Sequence, residues 1–238
     1  MEQRVDLHKT ERNLIDTEKV KGVMTVANKI RAVLIGDNSK AKYHPLQNVQ
    51  EELLRILEGD VEVKCTEEYE ILSSESLAQY DLCISYADRW DDKITSEQAA
   101  GLIRFVSGGR GFLVIHNGIS LQSKYECAQL VGGKFTGHPP YQKLDFQVAC
   151  PEHYIMQGIG DFTMEEEPYR FEMDSFVERQ VLLQYPFGDD LFPAAWAHEY
   201  GMGRVVYLAP GHNKNSFLNA AYGEIIVRSA RWASRREV

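Results

Sequence analysis

The sequence predicts an α/β protein: an open, mostly parallel sheet with helices on both faces, to which the C-terminal half adds antiparallel strands. Three observations predict it. Short runs such as Ile30–Gly36 and Gly111–Ile115 are near-continuously apolar rather than alternating, as strands buried on both faces are. Stretches with apolar residues at helical spacing lie between these runs, and the resulting β-α rhythm has a parallel sheet as its natural product. From about residue 143 the character changes, and short strand candidates follow one another with only turn residues between.

The elements follow in order. Ile30–Gly36 is the first strand. Residues 45–57 place Leu46, Val49, Leu53, Leu54 and Leu57 at helical spacing, and Gly59 stops the helix. Val61–Cys65 is the second strand, residues 73–78 a short helix, and Tyr80–Tyr86 the third strand. Thr95-Ser96-Glu97-Gln98 opens the next helix with capping chemistry, and Gly108-Gly109 ends it. Gly111–Ile115 is the fourth strand, followed by a helix over 123–131. The later strands are expected at 143–149, 169–173, 181–184, 193–197 and 204–208, with Gly201-Met202-Gly203 as a hairpin turn and a closing helix over 216–232. Residues 1–29 read as an N-terminal extension with a polar helix over 8–20, and residues 30–238 as one α/β domain, since no linker divides them.

Composition narrows the function. The 238 residues carry 26 Lys+Arg against 35 Asp+Glu, a formal net charge of −9, which is unsuited to neutralising phosphates. Nucleic acid is therefore not an expected partner, nor is an anionic membrane surface. The N-terminus lacks a basic region followed by an apolar one, so no secretory signal is expected. The cysteines Cys65, Cys83, Cys127 and Cys150 show no C-x-x-C spacing, and reduced thiols in a cytoplasmic protein are the simplest account. A homo-oligomer is compatible with all of this.

Histidine placement is the strongest chemical pattern. His44 follows the first strand, His116 ends the fourth, His138 lies in Thr136-Gly137-His138-Pro139, and His212 follows the last strand in Ala209-Pro210-Gly211-His212. Loops after parallel strands project from one edge of an open sheet, where ligands bind. His116, His138 and His212 are the candidate metal ligands, for a divalent ion such as zinc, and His116 doubles as a candidate acid/base group. Capping the next helix is its competing reading. Ser107–Gly111 resembles a phosphate loop but runs from helix into strand, so it reads as a helix cap and turn, and no nucleotide cofactor is expected. Glu167 and Glu172 are candidate catalytic carboxylates, while Glu165 and Glu166 read as solvated. His44, Tyr169, Trp196 and Arg204 are candidate substrate contacts, although Trp196 reads more readily as a core residue. His8, His153 and His198 read as structural or exposed.

Taken together, Tyr43-His44-Pro45, Gly109–Gly118, Leu130–Pro139, Glu167-Pro168-Tyr169, Ala195-Trp196, Gly201–Val205 and Gly211-His212 resemble the trehalose-utilisation (ThuA-like) family. The resemblance implies a flavodoxin-like sheet of the class I glutamine amidotransferase type and a role in carbohydrate metabolism. The related amidotransferases carry a cysteine where this chain has His116, so glutamine hydrolysis by their route is not expected. What the resemblance implies instead is a disaccharide-derived sugar or keto-sugar as ligand. Isomerisation, epimerisation or elimination/hydrolysis would follow from removing a proton beside a ketone. A non-catalytic carbohydrate-binding or scaffold protein of the same fold is the alternative, and a hydrolase with another nucleophile a third.

Overall fold

The computed structural model describes residues 29–237. The expected N-terminal extension, with its helix over 8–20 and His8, lies outside the described residues apart from Lys29. Strands β1 (Ile30–Gly36), β2 (Val61–Thr66), β3 (Leu82–Tyr86) and β4 (Gly111–Ile115) form where the near-continuous apolar runs lie, and every residue of β3 and β4 is buried. Helix α1 (Gln50–Leu57), the short α2 (Ser74–Leu77) and α3 (Ser96–Ser107) connect them. The expected capping box opens α3: the Thr95 side chain accepts from the Gln98 amide, and Gln98 reaches back to the Thr95 amide. That reciprocal pair satisfies two of the orphan donors at the helix start. Ala99, Leu102, Phe105 and Val106 form its buried stripe.

After β4 the chain enters a 3₁₀ stretch, His116–Ser123, before α4 (Tyr125–Val131). Then come β5 (Gly133–Gly137), β6 (Gln142–Val148), β7 (Phe162–Glu166), β8 (Arg170–Met173), β9 (Gln180–Phe187), β10 (Asp190–Tyr200) and β11 (Gly203–Leu208). The closing helix is broken in two, α5 (Lys214–Phe217) and α6 (Ala220–Ala233). The Asn213 and Asn219 side chains cap the two starts, which is the local signal that divides them. The Gly201–Gly203 turn joins β10 to β11 as a hairpin.

The nine-stranded sheet runs β2-β1-β3-β4-β11-β10-β9-β6-β7, with β5 and β8 pairing separately. Strands β2, β1, β3, β4 and β11 are mutually parallel, and β11 to β10, β10 to β9, β9 to β6 and β6 to β7 are antiparallel. The expected parallel core with added antiparallel strands is what forms. Two strands were not expected. Gly133–Gly137 begins and ends on glycine, and Phe162–Glu166 carries two glutamates, so neither presents the apolar run that marked the others. Among the described residues no helix is long and apolar enough to cross a membrane.

A candidate cation-binding site at the carboxyl edge

The chain leaves β4 through a sharp turn whose apex is His116, held at φ 48. This left-handed conformation is costly for a residue with a Cβ, by about 1–2 kcal/mol, and the surroundings enforce it. The Asn117 amide group donates to the carbonyls of Tyr86 and Ala87, and the Ser120 hydroxyl donates to Ala87. Gly118 packs so closely on Ser85 that a Cβ there would stand 2.0 Å from its carbonyl oxygen. At the end of β11, Gly211 passes over His116 with φ 140, and a Cβ on it would lie 2.9 Å from the His116 Cβ. Two crowded glycines thus let three strand-end loops meet.

They meet around four side chains. His44 Nε2 lies 3.3 Å from His116 Nε2 and 3.1 Å from His212 Nδ1. Glu167 Oε2 lies 3.1 Å from His212 Nδ1, 3.3 Å from His116 Nε2 and 3.7 Å from His44 Nε2. All four donor atoms fall within 4.8 Å of one another. Four ligands at zinc-type bond lengths on tetrahedral corners stand about 3.3 Å apart, so the cluster has the dimensions of a cation cage. Its chemistry agrees. Glu167 Oε2 is buried among three ring nitrogens yet makes no aligned hydrogen bond, an unsatisfied acceptor that a cation would meet. His116 Nδ1 sits 2.7 Å from the Ala209 carbonyl, a pure acceptor, so Nδ1 carries the hydrogen and Nε2 turns its lone pair inward. These residues could hold a metal ion.

Protonation follows from burial and neighbours. Burial pushes His116 down to about 4, despite the opposing pull of Glu167, so its imidazole is neutral at physiological pH. Burial alone would raise Glu167, but the three imidazoles around Oε2 outweigh it and hold the carboxylate well below its usual range. The same carboxylate raises His212. Tyr169, stacked on His116 with ring centroids 4.4 Å apart, is raised far above an ordinary phenol by burial. Its hydroxyl stays protonated and lies 3.1 Å from His116 Nε2.

The cluster floors a cleft of about 700 Å³ whose upper wall is aromatic, with Tyr43, Trp90 and Phe135. The structure gathers His44, His116, Glu167, Tyr169 and His212, but it sorts the other candidates differently. His138 is not among the four converging donors. It stands at the rim, its Nδ1 2.8 Å from the Pro139 carbonyl and its Nε2 3.6 Å from Glu167 Oε1, and His44 takes the place expected for it. Glu172 is exposed on β8, in a separate surface hollow beside Tyr125 and Phe176. Trp196 is wholly buried and donates to the Val131 carbonyl. Arg204, at the opposite end of β11, covers Trp232 and pairs with Glu199 and Glu237. Glu166, expected to be solvated, is 1% exposed. It accepts hydrogen bonds from the Gly211 and His212 amides and the Ser216 hydroxyl, and burial raises it to about 7. His198 and His153 are buried on the Leu130 carbonyl and the Ile155 amide, in keeping with structural roles. Asp88, Lys42 and Trp90 carried no sequence signal, standing in connections of unremarkable composition, and Tyr43 and Phe135 stood in quoted motifs without a role of their own.

The sheet order and the crowded turn after β4 define the class by fold: an α/β protein with a parallel sheet core, antiparallel strands added, and histidine at the turn. The trehalose-utilisation (ThuA) family matches over residues 31–233, and the chain belongs to that family. None of the curated proteins matches the sequence. A solved structure described as a ThuA-like protein from Parabacteroides merdae has the same fold, with TM-score 0.73 and 15% identity, covering 87% of this chain and 90% of that one. Another so described, from Bacteroides uniformis, gives 0.65 and 18%, covering 86% and 91%. A protein described as a GMP synthase subunit from Thermoplasma acidophilum gives 0.53 and 14%, covering 88% and 98%. Among the described residues no cysteine lines the cleft.

Proposed function

We propose that this chain is a divalent-cation-dependent enzyme acting on a disaccharide-derived sugar or keto-sugar. The observation that carries this reading is the convergence of one donor atom each from His44, His116, Glu167 and His212 within 4.8 Å of one another at the floor of the cleft. Family membership supports a carbohydrate role. Three imidazoles and a carboxylate suit a borderline ion such as zinc, which when bound would polarise a carbonyl oxygen. The remaining chemistry falls to the chain's own groups. Tyr43, Trp90 and Phe135 offer faces for the apolar side of a sugar ring. His138 Nε2, left free by the contact of Nδ1 with Pro139, takes and returns the proton on the carbon beside a ketone. Isomerisation, epimerisation and elimination of a glycosidic group share that proton transfer. Burial of His116 and Tyr169 keeps water from the floor. A cytoplasmic setting, and a small carbohydrate as partner rather than nucleic acid or membrane, belong to the same reading and rest on the acidic charge and the free thiols.

One observation favours a second reading. Four protein donors would fill the shell of a four-coordinate ion, as in structural rather than catalytic zinc sites, which suits a non-catalytic carbohydrate-binding protein. Elemental analysis of tag-free protein, followed by assay of a 3-keto-glycoside before and after chelation, separates the two. About one equivalent of metal per chain and turnover that chelation abolishes are expected. His116→Ala should remove both, lowering turnover at least about 100-fold, the range assigned to a lost acid/base or charge-stabilising group. Bound metal without turnover would support the binding protein, and protein that takes up no divalent ion would overturn the cation site.

A further inference from the structure

Two of the cluster histidines sit on loops rather than strand ends. His44 is seven residues beyond the Asp37 that follows β1, and His212 is four residues beyond β11. A loop places a side chain less rigidly than a strand does, and ligand geometry tolerates little looseness. Each of these turns is tied to a buried carboxylate that has no other evident task. Asp88, 5% exposed and two residues past β3, accepts from the Tyr43 amide at 2.6 Å and the His44 amide at 2.8 Å, both on Oδ2. Asp88 is itself fixed through its own amide, which donates to Asp37 Oδ2 at 2.9 Å; Asp37 in turn holds Tyr69 and Arg89. Glu166, 1% exposed at the end of β7, accepts from the Gly211 amide at 2.9 Å, the His212 amide at 3.3 Å and the Ser216 hydroxyl. The same turn is pinned further by Tyr86 on the Gly211 carbonyl and Tyr222 on the Pro210 carbonyl.

We propose that Asp88 and Glu166 are paired positioning residues, each clamping the backbone of one histidine-bearing turn so that His44 and His212 meet strand-borne His116 at ligand spacing. The pairing is specific. Each carboxylate takes two consecutive amides, one of them the histidine's own, and the two clamps come from different elements, one just past β3 and the other at the end of β7. Burying a carboxylate is costly, the more so for Asp88, whose Oδ1 has no hydrogen-bond partner, and packing alone would be served as well by an apolar residue. Neither Asp88 nor Glu166 is a ligand itself; each acts through the loop it holds. This inference rests on the reading of the cluster as a cation site.

The test is Co²⁺ titration of metal-stripped protein, followed by visible absorption, alongside amide hydrogen exchange of the same samples without metal. Asp88→Ala and Glu166→Ala should each weaken Co²⁺ by about 10–100-fold, the range for lost outer-shell partners. Asp88→Asn and Glu166→Gln keep an acceptor oxygen, so they should fold as the parent does and recover most of the affinity. Exchange should accelerate at Tyr43 and His44 only in Asp88→Ala, and at Gly211 and His212 only in Glu166→Ala. Alanine variants that lose protection yet bind Co²⁺ with parental affinity and spectrum would overturn the proposal, as would unchanged protection. If the parent takes up no Co²⁺, the cation reading falls, and the exchange data alone decide whether the clamps exist.

Discussion

The two halves of the sheet carry the same residue types to different fates. In the parallel half, β1, β4 and β11 end at one edge and deliver His44, His116 and His212 to a common point. The antiparallel half holds His198 and Trp196 on β10, and the separate β5–β8 pair holds Glu172; these pack or face solvent. What these later strands contribute to the site is Glu166 at the end of β7, the short connection of Glu167 to Tyr169 that follows it, and His138 after β5. What decides the outcome is distance from the carboxyl edge of the parallel strands, where backbones diverge and leave room for a ligand. A histidine one residue past β4 is a ligand candidate, whereas one inside β10 is a packed side chain bonded to the Leu130 carbonyl.

That contrast breaks if a residue inside β10 proves to govern the site, and Trp196 offers the largest effect. Its ring is enclosed by Phe171 and Tyr207, and its Nε1 donates to Val131. Trp196→Ala should cost about 3–5 kcal/mol of stability, as large aromatic truncations in cores do. Protein still folded in dilute urea should bind metal and sugar as the parent does. Chemical denaturation alongside ligand titration measures both. Lost sugar affinity with stability intact would restore the stacking role that the sequence left open.

His198 sharpens the comparison through pH. Burial lowers it from 6.5 to about 4, the same direction and cause as His116, yet no cluster surrounds it. The folded protein keeps it neutral while the unfolded chain takes up a proton below 6.5. Its contribution is therefore fully present above pH 6.5 and is lost as pH falls toward 4. A shift of this size corresponds to about 3 kcal/mol across the window. His198→Gln keeps an N–H for Leu130 and removes the titration. Denaturation of metal-free protein at pH 7 and pH 4 should show the variant losing about 3 kcal/mol less than the parent. Equal losses would mean that His198 is accessible to protons in the folded state.

How much of this was legible follows the same division. The parallel strands were readable because burial on both faces leaves near-continuous apolar runs, and the Thr95–Gln98 capping box stands in the sequence as written. The edge position of His116 was readable because it follows such a run directly, whereas His212, four residues beyond β11, joins it only through the fold of its loop. His44 and His138 could not be ranked: both lie in loops, and only the folded chain shows that Asp88 draws one inward while Pro139 holds the other at the rim. Glu166 was misread because a run of three glutamates resembles a solvated stretch. The alternation of β7 sends Glu165 outward and Glu166 inward, and an unexpected strand cannot lend its alternation to a prediction. Backbone amides as partners of Asp88 and Glu166 leave no trace in residue identity at all.

Glu172 supplies the smallest effect and the cleanest control. It and Glu167 are five residues apart, both acidic, both near a strand, and the sequence offered either as a catalytic carboxylate. The structure separates them by one strand: Glu167 turns into the cluster before β8 begins, whereas Glu172 stands exposed in β8 opposite Lys134 of β5. An exposed cross-strand pair of opposite charge contributes about 0.2–1 kcal/mol. Glu172→Ala should therefore lower stability by less than about 1 kcal/mol, with the loss shrinking further at high salt as screening weakens the pair. Metal content and turnover should match the parent, while Glu167→Ala measured beside it should lose both. A Glu172→Ala variant with impaired turnover and unchanged metal content would move the second carboxylate of the reaction to the far side of β8, and the cleft over the histidine cluster would then be only part of the site.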